Sequence, residues 1–170
     1  MTRVEHDRVN DLPPRTIPWM SFAASVAATV RRLPDDGTFV LHRDEGELDD
    51  FGHPHTPKYA QFCRWSSSML RCEVVSNAFL PEEHHWSPAE EVRLLAMGWK
   101  CPDPDEPTAS PNWHLDVALV WAEVGVDGVV QVLRDLWGAR VMSDVVLDAK
   151  DLRRFRWIDV PEDLDDDPGR

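Results

Sequence analysis

At 170 residues and 19.5 kDa, with 42% hydrophobic residues, the chain fits one domain that buries about 70% of its unfolded surface. A net charge of −13 and a pI near 4.8 argue against nucleic acid or an anionic membrane as a partner, and suit a basic or aggregation-prone protein client. No apolar run approaches the roughly 20 residues that cross a bilayer, and three dispersed cysteines without a secretory signal point to a reduced cytoplasm.

Residues 1–15 are polar, are broken by Pro13 and Pro14, and are expected to be flexible. From Thr16 to Arg32 a helical period places Trp19, Phe22, Ala23, Val26, Val30 and Leu33 on one face. Arg31 and Arg32 suit the negative end of its dipole, and Pro34 stops it. Asp35-Asp36-Gly37 reads as a turn and Thr38–Arg43 as a short strand. Residues 44–57, DEGELDDFGHPHTP, show no period and read as a mobile loop, long for a mere connector.

Lys58–Trp65 and Met69–Ser76 read as a hairpin around Ser66-Ser67-Ser68. A three-residue loop pairs Ala60 with Val74 and Phe62 with Cys72 on one face, and Gln61 with Glu73 and Cys63 with Arg71 on the other. Slipping by one residue would set Phe62 against Glu73 and Arg64 against Arg71, so the first register is preferred. It points Cys63 and Cys72 to opposite faces; with Cys101 in a linker, all three cysteines are expected as free thiols.

Asn77 ends the alternation, and a loop carrying Phe79, Leu80 and Pro81 leads to Ser87-Pro88-Ala89-Glu90. That tetrapeptide predicts a helix start: Ser87 accepts from a free backbone N–H, Pro88 fits the first helical position and Glu90 bonds back to the cap. Val92, Leu95 and Ala96 are expected as its buried stripe. Gly98 supplies a left-handed stop, and Trp99 is expected to fold back near Leu94.

Cys101–Pro111 is a proline-rich linker, and Asn112–Val120 is expected to contain an extended segment. Asp127 reads as the N-cap of a helix that buries Val129, Val130, Leu133, Leu136 and Trp137 and closes at Gly138. Val141–Leu147 can form a last strand. Residues 151–170 end in an acidic run with little to bury and are expected to be a disordered tail. Residues 16–150 are therefore one α+β domain, an antiparallel sheet with flanking helices in the order α-β-β-β-α-β-α.

Chemistry-bearing constellations are weak. His53, His55, His84 and His85 with the cysteines invite a metal-assisted hydrolase, but C-x-x-C and H-E-x-x-H are both missing. There is no G-x-S-x-G elbow and no phosphate loop, so neither an enzyme nor a cofactor is expected. Trp65 is more informative. It shares the mostly polar hairpin face with Tyr59, Met69 and Val75, interleaved with Gln61, Arg71 and Glu73. Such a face fits a covered second layer, a twin subunit, or a surface that accepts a client segment through aromatic and Met anchors.

The run LRCEVVSNAFLPEEHHWSPAEEVRLLAMGWKCP, with the later NWH and VVQVLRDLWG, resembles the actinobacterial TY-Chap proteins. These are peptide-binding chaperones related to type III secretion chaperones and to YbjN, and the resemblance spans roughly residues 15–147. It implies a non-enzymatic chaperone or adaptor that holds a segment of a client, such as a secreted effector or toxin. The client would add a strand to a sheet edge or lie over an apolar surface. Patterning alone nominates Tyr59, Trp65, Met69 and Val75 on the sheet, and Phe79 and Leu80 after it, as contacts. VWAEVGV, before Asp127, is apolar rather than proline-rich, a departure from the family pattern that leaves the start of the last helix open. An immunity-type protein neutralising one toxin is the alternative, and a homodimer stays open.

Overall fold

A computed structural model describes residues 19–43, 58–103, 105–106, 110–139 and 144–147. The expectations for the N-terminal segment, the 44–57 loop, the tail, and His53 and His55 lie outside these residues. Helix α1 (Trp19–Val30) leads into strand β1 (Thr38–Arg43), the hairpin β2 (Tyr59–Arg64) and β3 (Met69–Val74), and helix α2 (Pro88–Ala96). Strand β4 (Trp113–Ala118), helix α3 (Ala122–Gln131) and strand β5 (Val145–Leu147) complete the order. The five strands form one antiparallel sheet in the order β4-β3-β2-β1-β5. The expected α+β class holds, with β5 added at an edge.

The hairpin register is the one predicted: Ala60 faces Val74, Phe62 faces Cys72, and Cys63 faces Arg71. All three cysteines are free. Period-two patterning drives this, because Phe39, Leu41, Ala60, Phe62, Leu70, Cys72 and Val74 are all sealed on one face. The helical layer covers that face. Gly125 of α3 rides against Cys72 and Val117, and Gly128 against Leu115 and Trp99.

Helix α1 buries Phe22, Val26, Ala27 and Val30, with Leu33 just beyond. Two buried hydroxyls on it bond back to carbonyls one turn earlier, Ser25 to Ser21 at 2.7 Å and Thr29 to Ser25 at 2.8 Å. Beyond α1 the chain turns through Asp36, whose φ of 62° is left-handed, with the Gly37 N–H on Pro34 O at 2.8 Å.

Helix α2 starts and stops where its sequence indicates. Ser87 and Glu90 form the reciprocal capping box, with Pro88 at the first position. At the other end Gly98 has φ 88°, the Gly98 N–H donates to Leu95 O at 3.0 Å and the Trp99 N–H to Leu94 O at 3.0 Å. That is the paired bond set of a Schellman stop. Its buried stripe is corrected, however. Leu94 alone is buried, while Val92 and Leu95 are 64% and 54% exposed and Ala96 is exposed too. Helix α2 touches the core along the line that its C-terminal turn fixes, with Trp99 buried behind it.

Asp127 is not an N-cap. Helix α3 begins at Ala122 after a 3-10 turn at Leu119–Trp121, and Asp127 lies mid-helix on the exposed side. The buried stripe Ala122, Val126, Val129, Val130 and Leu133 has one continuous helical period, and burying it outweighs the capping preference of Asp127. Val132–Leu136 widens to a π turn before Gly138 reverses the chain at φ 64°.

Candidate functional site

The sheet face opposite the helices is mixed in character. Its cross-strand rows are Cys63–Arg71–Asp116 and Gln61–Glu73–His114. Arg71 forks onto Asp116 with bonds of 2.7 and 2.9 Å. Burial alone would raise the Asp116 carboxyl, but the hydrogen bond and charge of Arg71 outweigh it and hold the group below its ordinary value. Glu73 is buried and accepts from Gln61 Nε2 and, at 3.3 Å, from Asn112 Nδ2. Asn112 also donates to the Tyr59 hydroxyl at 3.2 Å and accepts from the Ser76 N–H at 3.1 Å, clipping the end of β3 to the start of β4.

The six nominated contacts separate into two groups. Trp65 and Met69 lie at the hairpin end of the sheet. Trp65 is 49% exposed, and its ring sits 5.5 Å from the Arg71 guanidinium, so one aromatic face is braced and the side chain still meets solvent. Tyr59 stands six residues from Trp65, at the other end of β2, and is tied to Asn112. Val75 and Leu80 are buried and make no accessible contact. The loop after β3 folds over Val75, whose carbonyl takes the Trp86 indole N–H at 2.7 Å, and His85 Nε2 sits 3.0 Å from Leu80 O. Phe79 is exposed, as nominated.

Patterning missed several residues. Val120, Trp121 and Val124 are 70%, 63% and 55% exposed where β4 runs into α3. The Leu119 N–H donates to Ser68 O at 2.7 Å, so this turn is fastened to the tip of the hairpin that carries Trp65. The apolar run VWAEVGV was the available signal, and it was legible only as a departure from pattern. Trp86 is buried and stacks on Trp137 with centroids 5.6 Å apart. It had no helical or strand period to mark it.

Among the described residues, the outer edge of β4 is only partly used. His114 exchanges both backbone bonds with Lys100, at 2.8 and 3.0 Å, in an isolated bridge. In an antiparallel ladder every second residue turns its N–H and C=O to the same side, so Asp116 and Ala118 point theirs outward along the same edge. Beside this, His114 Nδ1 and Trp99 Nε1 are buried without a hydrogen-bond partner among the described residues. Among the described residues no group of His, Cys, Asp and Glu is placed to hold a metal ion, and no helix is long and apolar enough to cross a membrane.

A two-layer α+β domain with braced but solvent-facing aromatics and an unfinished sheet edge has the features of a protein-binding module. Residues 14–153 match the family described as T3SS (YopN, CesT) and YbjN peptide-binding chaperone 3, TY-Chap3. The chain belongs to this family. No curated protein and no solved structure matches it significantly.

Proposed function

We propose that this protein is a non-enzymatic, cytoplasmic chaperone or adaptor that holds one segment of a client, such as a secreted effector or toxin. The observation that carries the reading is the group of apolar side chains at one end of the sheet: exposed Trp65 and half-buried Met69 on the hairpin, exposed Val120 and Trp121 in the turn fastened to it. The client segment lays its apolar side chains on this group and pairs with the outward backbone groups of Asp116 and Ala118. The family supports a peptide ligand, and the acidic surface suits a basic one.

Trp65→Asp and Met69→Asp test it. A charge placed in a desolvated contact costs several kcal/mol on binding but little on a free surface. Both variants should keep the wild-type circular dichroism and sedimentation, and lose capture of client peptides on an array by a hundredfold or more. Unfolded variants would identify the group as core, and stable monomers from a dimeric parent would identify a subunit interface. Folded, correctly assembled variants that capture at wild-type strength would refute the site.

A further inference from the structure

Helix α2 exposes apolar side chains on a line of its own. Pro88, Val92 and Leu95 recur at i, i+4 and i+7, the spacing of one helix face, and that face is turned away from the core. Across from it stand Ala78, Pro102 and the edge of Trp113, enclosing a groove of about 560 Å³. That volume lies in the range that takes a ligand of several side chains. Single exposed apolar residues need no explanation, but a stripe facing an apolar wall does.

The charge around the groove indicates its occupant. Among the described residues, Glu91 is the one charged residue that lines it, and none of the lining residues is basic. Beyond Pro102 the exposed Asp103, Asp105 and Glu106 extend the acidic rim. A second copy of a chain with net charge −13 is disfavoured here, whereas a cationic segment is drawn in. We propose that this groove is a second docking site, taking a bulky apolar side chain flanked by basic residues in a client peptide. The proposal rests on the chaperone reading and deepens it. The site is separate from the hairpin end, because Trp113 and Ala118 terminate β4 about 17 Å apart and the Lys100 bridge lies between.

The probe is a fluorescein-labelled synthetic peptide of alternating Leu, Phe and Arg, with a twin in which every Arg is Glu. Wild-type protein should bind the Arg peptide by anisotropy, bind its twin at least tenfold more weakly, and show slower alkylation of Cys101, which lines the groove, when the Arg peptide is bound. The Val92→Ser, Leu95→Ser double variant alters exposed positions only, so it should melt as the wild type does and bind the Arg peptide at least tenfold more weakly. Glu91→Gln should weaken it several-fold. Wild-type affinity in the double variant, equal binding of the twin, or unprotected Cys101 would overturn the proposal. So would a wild-type dimer that the double variant turns into monomers, since the groove would then be a self-interface. Capture lost only in the Trp65→Asp and Met69→Asp variants would also overturn it, while leaving the chaperone reading intact.

Discussion

Gly125→Ala reads the seat of α3 on the sheet directly. A Cβ at this position would stand 2.6 Å from Cys72 Sγ and 3.1 Å from a Val117 methyl. Cys72 is fully buried in β3, opposite Phe62, so its sulfur has nowhere to turn. Overpacking of this kind costs about 1–3 kcal/mol. Alanine in place of glycine inside a helix offsets about 0.5–1 kcal/mol of that. The net expectation is a loss of about 1–2 kcal/mol, or about 2–8 °C in Tm for a chain of this length. Thermal melts followed by circular dichroism measure it, and a double-mutant cycle assigns its cause. Cys72→Ala removes the clashing sulfur, so Gly125→Ala introduced into that background should cost little or stabilise. The coupling between the two sites should then be about 1 kcal/mol or more. A Gly125→Ala variant that melts at or above the wild type would refute the close approach of α3 to β3.

Ser87→Ala should destabilise by about 1 kcal/mol through the lost capping box, and Gly98→Val should cost more, because valine at φ 88° is strained whatever space surrounds it. Chemical denaturation midpoints check both, and negligible equal shifts would contradict the placement of the ends of α2. Asp116→Asn should cost about 1–3 kcal/mol at neutral pH by breaking the fork with Arg71. The folded carboxyl is held below its ordinary value, so its stabilisation is present above the unfolded value near ~3.9 and is lost as pH falls through the lower folded value. The gap between wild type and variant should therefore close in acid, which pH-dependent melts will show. Iodoacetamide at pH 8 should modify exposed Cys101 first and Cys63 more slowly. Cys72 should react only on unfolding, because burial raises the pKa of both inner thiols. Mass spectrometry against time gives the order.

Local rules sufficed where one interaction decides a position. The hairpin register follows from keeping Phe62 off Glu73, and both ends of α2 follow from residues that bond within five positions of themselves. They failed where a pattern has two physical outcomes. Val92, Leu95 and Ala96 carry the spacing of a core stripe, yet the helix turns Leu94 inward instead. Trp99 lies against Gly128 of α3 and Lys100 bridges to His114 of β4, long-range contacts that no window along the chain contains. Asp127 offered a good cap, but the stripe beginning at Ala122 buries more apolar surface, and tertiary packing overrides a preference of about 1 kcal/mol.

The same ambiguity governs the candidate sites. A protein that holds peptides must keep apolar side chains where a partner will cover them, so its binding stripes carry the period and composition of core. Val75 and Leu80 were nominated as surface and are core; Val92 and Leu95 were assigned to the core and are surface. Only the polar neighbours separate the two cases. Trp65 keeps Arg71 and Asp116 beside it, and the α2 groove keeps Glu91, whereas Val75 is enclosed by the Trp86 indole and the β2 backbone. On the proposed function, a stripe whose rim retains paired or solvated charge is the one that faces a partner, and one whose rim is sealed faces the sheet.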